Sequence, residues 1–313
     1  MSKTIIISTE ASSYFTASIA KQVSGTLIST ERKEFRDGER YFRLGVESTA
    51  DLVGTDAIII GSTHTDRDFD ELYRVGSALA TYGTRQRIFV IPFFGYSTME
   101  RAALSGEVVS AKILARTLSS IPNTGMGNIF LLLDLHTEGM VHYFENHSMP
   151  LELRADALLR KAVSELVLSQ FVFASADLGR PMSVQKLAAA FGVPIALIAK
   201  ERRFETTEVL AVIGEVRGKA VVIYDDMVRS GGSLVHAAQA YLDHGATEVY
   251  AAISHLALTD ESAIDILEHS PLKKIITTNS HPMSQHTRIV SSNKFLVLDV
   301  SPVFKNAIQK IIL

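Results

Sequence analysis

At 313 residues, with 47% apolar and 21% charged side chains, the chain has the length of two ordinary domains and the composition of a folded soluble protein. Lys and Arg number 31 against 34 Asp and Glu, a formal net charge of −3, and no basic block stands out, which argues against a nucleic-acid partner. The absence of cysteine excludes disulfides, thiolate metal sites and a cysteine nucleophile. From its start, MSKTIIISTEASS holds only a short apolar run, too short for a signal peptide. No segment nears ~18 uninterrupted apolar residues. The longest, 187–199, is broken by Gly192 and Pro194. The expectation is a cytoplasmic protein with no membrane partner.

β-branched runs predict strands at 4–8, 57–61, 88–92 and 129–134, then at 171–175, 195–199, 220–224, 249–254 and 274–278. Runs this apolar suit strands covered on both faces, as in a parallel sheet. Between them, 69–83 places apolar residues at 69, 72, 73, 75, 79 and 80 and closes on Gly83, which predicts an amphipathic helix. The stretch 231–245 repeats the pattern and closes on Gly245. Strand–helix alternation in both halves predicts an α/β fold. Around 141–160 the strand signal weakens and Pro150 appears, so a domain boundary is placed at 148/149, giving domains 1–148 and 149–313.

The stretch YDDMVRSGGSL, residues 224–234, leaves the third strand of the second half. Open parallel sheets bind ligands at the carboxyl ends of their strands. Here Asp225 and Asp226 are followed by Ser230, Gly231, Gly232 and Ser233, a small-residue turn that opens a helix. Backbone N–H groups and the helix dipole favour a phosphate there. Two carboxylates beside a phosphate make sense when the ligand also carries vicinal hydroxyls, as a pentose 5-phosphate does. The alternative, ranked second, is that Asp225 and Asp226 merely cap a turn before the helix, where Asp and Gly are common.

The loop resembles the ribose-phosphate loop of type I phosphoribosyltransferases and of ribose-phosphate diphosphokinases (PRPP synthases). Four further stretches select the second group. EFRDGERYFRL (34–44), with Phe35, Asp37 and Glu39, is similar to a segment that reaches into the ATP site of a neighbouring subunit. LLLDLHTEGMVHYF (131–144) resembles the Asp-Leu-His motif, with Asp134 and with His136 beside the Mg–ATP phosphates. SADLGR (175–180) places Asp177 as a metal-side carboxylate, and IAKERRF (198–204) resembles the catalytic flexible loop, with Lys200 and Arg202. The resemblance runs through nearly the whole chain, including 244–280. It implies two similar phosphoribosyltransferase-like α/β domains with mostly parallel sheets, the second carrying the ribose-phosphate loop. It also implies a homo-oligomer, dimer or hexamer, acting on small-molecule substrates with Mg2+ and with ATP as co-substrate.

On that resemblance the expected reaction is diphosphoryl transfer from ATP to the 1-hydroxyl of ribose 5-phosphate or a related ribosyl phosphate. Lys200 and Arg202 would stabilise the transferred group, His136 and Asp177 would attend the metal, and Phe35, Asp37, Glu39 and Arg101 would bind ATP. The family's Arg-Gln pair is replaced by Thr98 and Met99, so ATP binding is expected to be weaker, differently built or absent. Arg229 stands where the family's loop carries a third acid. A non-catalytic regulatory paralogue is the first alternative, and a phosphoribosyltransferase the second.

Overall fold

Three consecutive isoleucines define the first strand. In β1 (Thr4–Ser8), Ile5, Ile6 and Ile7 are all buried, although neighbouring side chains point to opposite faces. Both faces of the strand are therefore covered. The computed structural model describes residues 3–178, 181–203 and 206–312, with the side chains of 200–210 outside the described set. After β1 come α1 (Ser13–Ala20), the short β2 (Thr26–Leu27), β3 (Thr30–Glu34) and β4 (Arg40–Leu44), followed by β5 (Asp56–Ile60) and α2 (Asp66–Thr81). Then follow β6 (Gln86–Ile91), α3 (Ser110–Ser119), β7 (Asn128–Leu133) and β8 (Met149–Leu153). The first sheet has the order β2-β1-β5-β6-β7-β8 and is parallel throughout. β3 and β4 pair only with each other, as an antiparallel ribbon.

α2 starts where Thr65 accepts a hydrogen bond from the Asp68 backbone, and two acids follow in its first turn. It ends before Gly83, whose φ of +80° lets the chain turn away from the helix. Leu72, Val75 and Leu79 are buried against the sheet, each contributing about 1.5–3 kcal/mol by leaving water. Phe89 and Phe130 stack on neighbouring strands with centroids 4.6 Å apart. Arg87 is fully buried. It donates to Asn128 Oδ1 at 2.6 Å, Thr84 O at 2.9 Å and Thr124 O at 2.6 Å, which offsets the desolvation that lowers its pKa.

The second unit opens with α4 (Asp156–Ser164), β9 (Phe171–Ala174), α5 (Pro181–Phe191), β10 (Ile195–Arg203) and β11 (Thr206–Ile213). It continues through β12 (Ala220–Val228), α6 (Gly232–Asp243), β13 (Glu248–Leu256), α7 (Glu261–Glu268), β14 (Ile275–Thr278), α8 (Thr287–Ser291) and β15 (Phe295–Leu298). Its sheet has the order β11-β10-β9-β12-β13-β14-β15, and among these pairs only β10–β11 is antiparallel. The α/β fold with mostly parallel sheets flanked by helices is the one the sequence predicts.

Two features of the division differ from expectation. The second unit is Ala155–Leu298, so β8 still belongs to the first, and the boundary lies six residues beyond 148. β8 pairs in register along β7 from Met149 to Leu153 and accommodates Pro150 at the sheet edge. The chain from Asp299 onward also belongs to the first unit. There α9 (Ser301–Ile311) buries Phe304 and Ile308, with the Phe304 ring edge-on to Phe15 at 5.8 Å. Gln22 Nε2 donates to Ser301 Oγ at 2.5 Å. Among the described residues, no helix is long and apolar enough to cross a membrane.

Candidate active site

In the second sheet the carboxyl end of β9 lies between Ala196 of β10 and Ile223 of β12. From the end of β9, Ser175 N donates to Ala196 O at 3.2 Å, and the Ser175 carbonyl accepts from the buried Tyr241 hydroxyl at 2.8 Å. This fixes the turn that presents Asp177, whose side chain is exposed. Ser175 Oγ donates to the Asp177 carbonyl and closes the turn. Beyond Ala196, β10 leaves β9 and pairs with β11, Lys200 opposite Val209 and Arg202 opposite Thr207. The expected catalytic loop thus has an extended backbone as far as Arg203. The side chains of Lys200 and Arg202 lie outside the described residues, as does Arg180.

β12 continues four residues past its predicted end. Asp225 pairs with Ile253, Met227 with His255 and Val228 with Leu256, because β13 is long enough to give those backbone groups partners. Asp225 and Asp226 are therefore held in the sheet rather than in a free loop. Asp225 is half-buried and Asp226 buried, so Asp225 presents the more accessible carboxylate. Its Oδ1 accepts from the Asp226 backbone at 2.9 Å. Arg229, Ser230 and Ser233 are exposed, Gly232 half-buried and Gly231 buried. Gly231 caps α6 in the left-handed region at φ +81°, and a Cβ there would stand 3.0 Å from Leu267 Cδ2. Gly231→Ala is expected to cost about 1–2 kcal/mol through that backbone strain. A calorimetric Tm equal to that of the parent would refute it.

In the first unit, β7 is followed by Asp134, a buried residue with φ +39°, whose N–H donates to Leu153 O at 2.9 Å. Two residues on, His136 is half-buried and lines a cavity of about 550 Å³ with Thr98, Met99, Glu100, Arg101 and Glu107. Arg101 is 83% exposed, with Nε 3.4 Å from Glu100 Oε1. Glu107 accepts from the backbones of Ala103 and Leu104, at 2.6 and 2.9 Å, which holds its carboxyl below the usual range. His136 and Arg101 thus share one cavity, and Thr98 and Met99 form part of its wall.

Phe35, Asp37 and Glu39 sit elsewhere, at the tip of the β3–β4 ribbon. All three are exposed, and Glu39 N donates to Asp37 Oδ1 at 3.1 Å across the turn. Asp37 and Glu39 line a separate hollow with Arg40, Asp70 and Arg74.

Sequence reasoning passed over two residues near these edges. Arg154 Nε lies 3.6 Å from Asp134 Oδ1, and its Nη1 lies 2.9 Å from Glu152 and 3.7 Å from Glu138. Burial raises the Glu152 pKa against the pull of Arg154. Nothing in the local pattern marks Arg154, which acts across a strand pair. His255 is buried on β13 with Nδ1 2.8 Å from Ser280 Oγ. A histidine inside the apolar run AAISHLAL was the available signal.

Residues 4–121 match the family model of the N-terminal domain of ribose phosphate pyrophosphokinase, and residues 181–313 that of the phosphoribosyl synthetase-associated domain. The ribose-phosphate pyrophosphokinase of Fusobacterium nucleatum is 31% identical over 299 residues, covering 94% of this chain and 90% of that protein. That of Clostridium tetani is 32% identical over 300 residues, covering 94% and 89%. In fold, the crystal structure of phosphoribosylpyrophosphate synthetase from Mycobacterium smegmatis matches with a TM-score of 0.87 at 24% identity, covering 99% of each chain. Over nearly its full length, then, the chain belongs to the ribose-phosphate pyrophosphokinase family.

Proposed function

We propose that the protein transfers the diphosphoryl group of ATP to the 1-hydroxyl of ribose 5-phosphate, or of a related ribosyl phosphate, giving PRPP or its analogue and AMP. One observation carries this reading. At the carboxyl end of the second sheet, β12 delivers a carboxylate pair and a glycine turn opening a helix, and β10, separated from it by β9, carries the backbone of Lys200–Arg203. The 5-phosphate sits at the N-terminus of α6, with the hydroxyls of Ser230 and Ser233. Asp225 accepts from the ribose diol, and the Asp226 N–H, donating to its Oδ1, orients it. Held so, the 1-hydroxyl oxygen attacks the β-phosphorus of ATP in line. The bond from that phosphorus to the α-phosphate oxygen breaks, AMP leaves with the electron pair, and the hydroxyl proton is lost to water. Lys200 and Arg202 stabilise charge on the moving group.

Asp177 is a hard oxygen donor, exposed at this edge, and suits Mg2+, which is commonly held by one or two carboxylates plus substrate phosphates. Among the described residues no cluster of three protein ligands exists, and such a site requires none. Bound magnesium would draw charge from the phosphoryl oxygens. His136, a nitrogen donor, is better suited to orienting the phosphates than to ligating this metal. Arg101, Phe35, Asp37 and Glu39 contact ATP, the last three from a neighbouring copy in a cytoplasmic homo-oligomer.

The test is direct. AMP, followed by chromatography, is expected only when ATP, magnesium and a ribosyl phosphate are all present. No AMP with any acceptor in a panel of ribosyl phosphates would overturn the reading. Diphosphate release on adding PRPP and a nitrogenous base would point to the phosphoribosyltransferase instead.

A further inference from the structure

The β3–β4 ribbon has no backbone pairing to the six-stranded sheet, and residues 33–39 are exposed. A two-stranded ribbon is marginal by itself, so its direction must be set by side chains at its base. One carboxylate gathers them. Glu71, on α2, is 1% exposed. Its Oε1 accepts from Arg32 Nε of β3 at 2.8 Å and from the Glu10 backbone at 3.1 Å. Its Oε2 accepts from Arg40 Nη2 of β4 at 3.2 Å. Each arginine then reaches a second anchor. Arg32 Nη2 donates to Ser8 O at the end of β1, and Arg40 Nη1 to Arg67 O on α2, both at 2.8 Å. Nearer the tip, Arg67 pairs with Glu34.

We infer that Glu71 is a positioning residue that aims the ribbon tip carrying Phe35, Asp37 and Glu39. This rests on the proposed role of that tip in binding ATP. Both strands of the ribbon are cross-linked to α2 through one buried anion, and the arginines that meet it also reach β1 and α2, so breaking this link loosens the tip. Arg32 and Arg40 carry side chains only 26% and 13% exposed. Removing the anion takes the carboxylate from Arg32 and leaves Arg40 with Asp70, 3.9 Å away, and relaxation moves the ribbon outward. Glu71 itself does not line the hollow of Asp37 and Glu39, so it acts on ATP through the arginines it holds.

The experiment compares Glu71→Gln with the parent enzyme and with Leu79→Ala, a core truncation on the same helix that removes none of the ribbon's polar anchors. Glu71→Gln is expected to raise the KM for ATP about tenfold, since small misplacements of binding groups are costly. The KM for ribose 5-phosphate should stay within twofold, roughly the limit of a local effect. Tryptic cleavage after Arg36, followed by mass spectrometry without substrate, should accelerate. Leu79→Ala should lower Tm and leave both readouts unchanged. Glu71→Gln with parental cleavage at Arg36 would overturn the inference. So would equal rises in both KM values matched by Leu79→Ala. If the parent makes no AMP, the proposed reaction fails, and the Arg36 cleavage comparison still decides the anchor.

Discussion

Lys200→Ala is expected to lower kcat by about a thousandfold, the upper range for losing one preorganised charge-stabilising group. Diphosphoryl transfer spreads charge over oxygens and asks little covalent chemistry of the protein, so a cation aimed at the moving group carries much of the catalysis. The interaction strengthens in the transition state, so kcat should fall much more than either KM rises. The fold should tolerate the change. Lys200 lies in β10 opposite Val209, and alanine keeps that backbone ladder. Steady-state kinetics with a thermal melt checks both halves of the claim. A kcat within tenfold of the parent at unchanged Tm would remove Lys200 from the chemistry.

The second large effect concerns the acceptor. Asp225→Ala is expected to raise the KM for ribose 5-phosphate about a hundredfold, because two hydrogen bonds to a charged acceptor are worth roughly 1.5 kcal/mol each. The KM for ATP should stay near that of the parent. The alanine variant also removes the 2.9 Å hydrogen bond that Asp225 Oδ1 accepts from the Asp226 N–H. Asp225→Asn keeps an oxygen for that bond while removing the charge. It should lie between the parent and the alanine variant, about tenfold up in KM for the sugar. Equal rises in both KM values, or a rise only in the alanine variant, would mean that the carboxylate supports the strand and not the sugar.

Much of the scaffold was legible because its strands are covered on both faces. Ile58–Ile60 and Val221–Ile223 are wholly apolar, and such runs read as interior strands whatever surrounds them. Helix α2 was legible from its stripe and Gly83, and its earlier start is explained by the Thr65 cap. The ribbon was not legible as structure. TERKE and RYFRL are charged on both faces, and their order comes from arginines meeting Glu71 39 and 31 positions away. β8 failed for a related reason: MPLEL has an edge-strand composition and shows no deep burial.

The candidate site divides along the same line. The ribose-phosphate loop is a contiguous word, and its residues fall together at one sheet edge because β12 and α6 are consecutive in the chain. The prolongation of β12 through Val228 was hidden, since it depends on how far β13 extends. Arg154 was hidden because its partners Asp134 and Glu138 precede it by 20 and 16 positions across a strand pair. Sequence motifs report local order well. They say little about which distant charge will neutralise them.

The return of α9 to the first unit has a bearing on biosynthesis. The Phe15 surface waits for a partner that leaves the ribosome only after residues 155–298 have been made. The interrupted half of the molecule therefore completes its folding last, although its synthesis starts first. During that interval its apolar flank is open to chaperones and to other nascent chains.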